Sequence, residues 1–217
     1  MCNRFRSSLG WRDWTEDFSD TRVPLRFPDP LPNLLPEVRP TDPHAILRPI
    51  DPADPMAGLE AKVIRWDLVP NFWRQPVKAK KFLATNARSE SVHSTSAFKE
   101  AFARRRCLVP ADGFYEWTGE KGRKTKWLIT TAAQRSFCFA GLWDHAETAD
   151  GPIDSFTILT TAAGPDMEPI HDRQPVILPR ERWRDWLDLE GDPTGLYRPG
   201  PAGTLLAEVA PPEGALI

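Results

Sequence analysis

Cysteine is scarce in this chain of 217 residues: there are three, Cys2, Cys107 and Cys138, and no Cys-x-x-Cys pair. An odd number without ligand spacing argues against a disulfide framework and a cysteine-based zinc centre, and fits a reducing cytosol. Cys107 and Cys138 sit in apolar runs and are expected as small buried hydrophobes. No metal and no cofactor is expected. No apolar run approaches the roughly 18 residues that span a bilayer, so no membrane partner is expected. No basic-then-apolar leader opens the chain. These absences together predict a cytoplasmic protein. Room for long helices is also lacking, because 23 prolines punctuate the sequence. Tyrosine is rare, two against nine tryptophans, so some indoles are candidates for surface tools.

What is present suffices for a core: 41 % hydrophobic and 27 % charged residues. Net charge is −2, but it is unevenly spread. Residues 60–135 hold 16 Lys and Arg against 7 Asp and Glu, so the ends of the chain are strongly acidic. A basic middle of this kind suits a phosphate-binding face; an internally balanced surface is the alternative.

Along the chain, residues 24–55 carry ten prolines and read as an extended wrap with one short strand at 45–47. Residues 61–69 alternate as a strand ended by Pro70. A Lys-rich loop with Phe72 and Trp73 follows. Residues 95–105 place Phe98 and Phe102 four apart and predict an amphipathic helix capped by Thr95 or Ser96. Strands are expected at 106–110, just after Gly113, at 127–130, 137–142, 155–161 and 175–178, and a short helix at 181–187. The tail from about 190 to 217 reads as irregular. One domain over 1–217 is expected. The count gives an α+β fold with a curled, barrel-like antiparallel β-sheet and a few short flanking helices.

Chemistry concentrates at the opening Met1, Cys2, Asn3 and Arg4. Once Met1 is removed, Cys2 carries an α-amine and a thiol on one carbon frame, with reference pKa values of about 7.7–8.0 and 8.5. The amine can form a Schiff base with an aldehyde, and the thiol can close it to a thiazolidine. Four polar positions lie beside strands in stretches that otherwise look like core: Asn86, Glu116, Thr160 and His171. An amide, an acid, a hydroxyl and an imidazole at strand ends build sites. Taken singly, each also has a plain structural reading: Asn86 and Thr160 as backbone caps or turns, Glu116 as an arginine partner, His171 as a hydrogen-bonded loop residue.

The set Met-Cys-x-Arg-Phe at the terminus, Asn-Ala-Arg-Ser-Glu at 86–90, RRCLVPADGFYEW at 105–117, SFTILTT at 155–161 and IHDRQPVIL at 170–178 resembles the SRAP family. These are abasic-site-processing proteins that cross-link to apurinic sites in single-stranded DNA. The resemblance runs from Cys2 to about Leu187. It implies Cys2 as the cross-linking nucleophile and Asn86 as the amide that positions the terminal amine and the sugar. It implies Glu116 as acid/base for sugar ring opening and closure, and His171 as a second proton-transfer group. Arg4, Arg88 and Arg173 are similar to phosphate-contacting positions, and Thr160 and Trp117 to site-lining ones. Trp73 is a candidate to stack on a base or wedge at a duplex end. The expected partner is single-stranded DNA with abasic sites, with single-strand/double-strand junctions as a variant; the expected state is a monomer, nucleoid-associated if bacterial. Lyase or thiol-autoprotease activity, including self-removal of Met1, is also implied. The sequence departs from the family pattern at Asn3, where Gly is most frequent. It departs at Glu37, in a usual N-x-A-P-T, and at Asp67, in a usual W-G-L-x-P. Two other classes fit Met-Cys: an N-terminal-nucleophile hydrolase or glutamine amidotransferase, and a non-catalytic nucleic-acid-binding module.

Overall fold

The computed structural model describes residues 3–120 and 122–211. Its centre is a barrel of five strands: Pro43–Pro49, Leu59–Trp66, Arg106–Ala111, Phe137–Thr148 and Gly151–Ala162. Four of the five neighbouring pairs are antiparallel. The ring closes through a short parallel ladder, Ser155 beside Arg65 and Phe156 beside Trp66. The sequence suggested a wholly antiparallel sheet. Five strands cannot alternate in direction all the way round a ring, so one pair must run parallel.

The sequence makes these strands two-faced. In Ile46-Leu47, Cys107-Leu108, Phe139-Ala140 and Ile158-Leu159, the first residue joins one buried cluster and the second joins another. Successive side chains on a strand point to opposite faces, so one register serves both. The first cluster includes Trp66 and Phe156 and is completed by a second sheet, in the spatial order Leu205–Val209, Thr125–Thr131, Gly113–Thr118, Phe5–Arg6 and Glu37–Val38. The second cluster is covered by the helices Trp11–Asp17, through Trp14, and Trp183–Leu187, through Trp183 and Trp186. At Gly141 a Cβ would stand 2.6 Å from Val109 Cγ2 and 2.9 Å from Cys107 Sγ, so only glycine lets these strands meet.

Several expected elements shift. The proline wrap contains three strands, Leu25–Arg26, Glu37–Val38 and Pro43–Pro49, because edge and end positions tolerate proline. The helix expected at 95–105 runs only Lys99–Arg104, and Thr95 spends its hydroxyl on Ser91 O rather than on a cap. The strands 137–148 and 151–162 are longer than hydropathy implied, since their outer ends form a hairpin that turns at Gly151, with φ +107°. The tail is not irregular throughout: Leu205–Val209 pairs with Thr125–Thr131. Four tryptophans, Trp14, Trp66, Trp183 and Trp186, are core rather than surface. Among the described residues, no helix is long and apolar enough to cross a membrane, and no cluster of His, Cys, Asp and Glu is arranged to hold a metal ion.

Candidate active site

The site is assembled by the two-residue strand Phe5–Arg6. Phe5 is fully buried, with its ring centroid 4.8 Å from His44, 5.0 Å from Trp66 and 5.8 Å from Phe139. That aromatic plug fixes the start of the chain between Gly113–Thr118 and Glu37–Val38. Phe5 lies opposite Phe114, and Arg4 O accepts the Tyr115 N–H at 2.9 Å. The ladder therefore carries the chain toward Glu116 as it runs back to Asn3. Cys2 and Met1 lie outside the described residues, so the proposed nucleophile is placed only by its covalent neighbour.

Asn3 Oδ1 accepts from Thr85 Oγ1 and from Asn86 Nδ2, each at 3.4 Å. Asn86 opens the strand Asn86–Arg88, held parallel to Gly151–Ala162 with Asn86 beside Ile158 and Arg88 beside Thr160. Glu116 is 4 % exposed, and burial raises its pKa, while neighbouring His171 pulls it back toward the carboxylate. His171 is half-buried and lines an open cleft of about 550 Å³ with Ala162, Glu168 and Asp172. Its Nδ1 accepts the Arg173 N–H at 3.0 Å and lies 2.7 Å from Asp172 Oδ1. Asn86 thus meets Asn3, and His171 lies near enough to Glu116 to act on its charge.

The residues assigned to DNA contact divide. Arg88 is exposed. Arg4 lies 3.0 Å from Glu37 Oε1, with its guanidinium 5.1 Å over the Trp117 ring. Arg173 is 9 % exposed and grips Glu90 with both amino groups, at 2.6 and 3.0 Å, while also donating to Thr160 O at 2.8 Å. Thr160 is fully buried and reaches the site only beside Arg173. Trp73 is half-buried on a separate ledge, edge-on to Phe82, with Phe72 exposed next to it. Sequence reasoning did not single out Thr85, Glu90 or Lys126. Lys126 lies 2.9 Å from Glu37 and 4.0 Å over the Tyr115 ring. Glu90 carried the one available signal, as an acid inside the 86–90 motif. Glu37 is held below its usual range: burial opposes ionisation, but Lys126, Arg4 and Arg39 outweigh it.

A Bacillus subtilis (strain 168) protein named "Abasic site processing protein YoqW" is 36 % identical over 127 residues, covering 58 % of this chain and 56 % of that protein. "Abasic site processing protein HMCES" of Xenopus tropicalis is 32 % identical over 153 residues, covering 60 % and 46 %. The chain spans about half the length of the curated relatives it matches. A solved structure from Bordetella bronchiseptica superposes with a TM-score of 0.80 at 28 % identity, covering 97 % of this chain and 100 % of that one. The family model described as SOS response associated peptidase matches residues 1–205, and the chain belongs to that family, SRAP.

Proposed function

We propose that this protein processes abasic sites by joining itself to the ring-opened sugar in single-stranded DNA through Cys2. The observation that carries the proposal is the clasp of Asn3 on Thr85 and Asn86, in the segment that the Phe5 ladder leads to the buried Glu116. Asn3, the residue bonded to Cys2, is thereby tied to the Asn86 amide on the ladder that continues toward Glu116.

The chemistry follows from these groups. Removal of Met1, by the protein itself or another peptidase, frees the Cys2 amine. The amine attacks the C1′ aldehyde, and Glu116, whose pKa burial raises, gives a proton to the departing hydroxyl so that water leaves. The resulting imine carbon accepts the thiol sulfur while the thiol proton passes to nitrogen, closing a thiazolidine. His171 carries protons between Glu116 and the cleft. A positioned acid of this kind contributes roughly 10²–10⁴-fold. Ring closure consumes the Schiff base that β-elimination needs, so the strand is shielded rather than cut. Arg88 and Arg4 meet the phosphates, and Arg173 does so where Glu90 swings away. Trp117 and Trp73 offer faces to bases. No further cofactor is required by these steps.

The test is a denaturing gel with abasic and intact single-stranded oligonucleotides. A shifted band with the abasic strand alone supports the reading; no band that survives denaturation overturns it.

A further inference from the structure

We infer that Asp67 and Lys80 form a buried latch that positions Asn86, which makes them positioning residues for the abasic-site chemistry. The inference rests on the function proposed above. Asp67 ends the strand Leu59–Trp66 and has φ +123°, a conformation that disfavours any L side chain. A strained non-glycine residue persists where the surroundings use its side chain.

The surroundings here do so. The Asp67 side chain is 4 % exposed and that of Lys80 2 %, with Nζ 2.7 Å from Asp67 Oδ1. The same oxygen accepts the Ala84 N–H at 2.7 Å. Lys80 Nζ also donates to Phe82 O at 2.6 Å, and Arg65 approaches Asp67 Oδ2 at 3.5 Å. The Asp67 N–H in turn donates to Phe156 O at 3.0 Å on the closing strand of the barrel. One carboxylate therefore ties the barrel seam to the far end of the loop that leaves it.

The tie ends beside the site. Ala84 O accepts the Leu68 N–H at 3.2 Å, and Thr85 O accepts both the Trp66 Nε1–H at 2.9 Å and the Ile158 N–H at 3.1 Å. Asn86 follows at once. The ion pair sets where residues 80–85 meet the barrel, and the parallel ladder transmits that setting to the Asn86 amide. Removing one partner leaves a buried charge uncompensated, so the segment must move to hydrate it. A shift near 1 Å at a positioning group is enough to slow a reaction about a hundredfold.

Three variants separate this role from plain stability. Asp67→Asn keeps the shape and an acceptor for Ala84, but removes the charge. Asp67→Gly relieves the strained φ and removes the side chain. Lys80→Met keeps the stem and removes the ammonium. Single-turnover cross-linking to an abasic oligonucleotide, run across DNA concentrations well below each unfolding midpoint, gives a limiting rate and a half-saturating concentration. The expected result is a limiting rate reduced about tenfold or more in all three variants, with half-saturation within threefold of the parent. The double variant Asp67→Asn/Lys80→Met is expected to lose no more than the single ones. Amide hydrogen exchange at Ala84 and Thr85 is expected to quicken at least tenfold, with Leu108 in the core unchanged. Unaltered limiting rates in folded variants would overturn the inference, as would Asp67→Gly behaving like the parent, since backbone conformation alone would then matter. If the parent protein gives no covalent adduct, the proposed function fails; unchanged exchange at Ala84 and Thr85 then overturns the latch as well, and quickened exchange leaves it standing as a structural tie.

Discussion

His44 and Glu116 are both ionisable groups taken out of water, one on the barrel strand Pro43–Pro49 and one on Gly113–Thr118 of the second sheet. His44 is fully buried, edge-on to Phe5 and Trp14, with Nε2 2.9 Å from Pro110 O. Burial lowers its pKa to about 4, outweighing the Pro110 carbonyl. Burial raises that of Glu116. Desolvation thus disfavours the charged form of both groups, pushing the histidine toward loss of its proton and the carboxyl toward retention of its own. The difference lies in their neighbours. His44 faces rings and a carbonyl, and can only stabilise or destabilise the fold. Glu116 has His171 as a charged neighbour, and His171 lines an open cleft through which a proton can pass. Perturbed titration marks a candidate for function, and the adjacent cleft decides it.

The largest break in that comparison comes from Cys2, the proposed nucleophile. Cys2→Ala is expected to abolish the heat-stable adduct with abasic DNA on a denaturing gel, while Cys2→Ser leaves at most a borohydride-trappable imine. Undiminished adduct from the alanine variant would remove Cys2 from the mechanism. Next is Glu116→Gln, which keeps shape but cannot titrate. Cross-linking is expected to slow by about 10²-fold or more, with non-covalent affinity within a few-fold. The pH sign also follows. A carboxyl whose folded pKa is raised contributes stability at low pH and loses it as pH rises from 4.5 through the folded value. At pH 8 the glutamine variant should therefore melt no lower than the parent. A marked fall in melting temperature there would make Glu116 a structural residue.

The sequence offered candidate site residues more readily than the elements that carry them. Asn86, Glu116 and His171 stood out because each is polar within an apolar strand context, and alternation at 61–69 showed a strand that the structure runs over Leu59–Trp66. The helix Trp11–Asp17 stayed hidden, since only Trp11 and Trp14 share a face and its cap is Gly10 with Asp13. Phe5–Arg6 and Glu37–Val38 are two residues each, too short for any period to register. The parallel seam at Phe156 and Trp66 joins segments 90 positions apart, which no local pattern reports. The pairing of Arg173 with Glu90 was hidden for a similar reason: it joins two motifs read separately.

The barrel interior supplies the next test, opposite in sign to that of Glu116. A histidine whose pKa falls from 6.5 to about 4 on folding contributes stability above pH 6.5 and loses it as pH falls toward 4. The shift corresponds to about 3 kcal/mol over that window. In urea unfolding, the parent should lose about 3 kcal/mol more between pH 7.5 and 4 than His44→Leu, whose apolar side chain has no proton to gain. Both should cross-link at similar rates at pH 7.5. Parallel stability profiles would mean that His44 gains water or a partner on acidification.

The smallest expected effect comes from two arginines that differ as the two buried groups do. Arg88 is exposed and opposite Thr160, whereas Arg173 is held bidentate by Glu90 and by Thr160 O. An exposed guanidinium is available to a phosphate at little reorganisation; one already paired must exchange a carboxylate for it. Arg88→Ala should therefore weaken binding to intact and abasic strands alike by a few-fold, and flatten the log–log salt dependence by about 0.7, the value for one phosphate on a single strand. Arg173→Ala removes a buried partner of Glu90 and Thr160, so its main effect should fall on melting temperature, with little change in salt slope. Binding curves at several salt concentrations beside thermal melts measure both. An equal salt-slope change in the two variants would show that DNA draws Arg173 away from Glu90, and that pairing in the free protein does not predict which cations meet the strand.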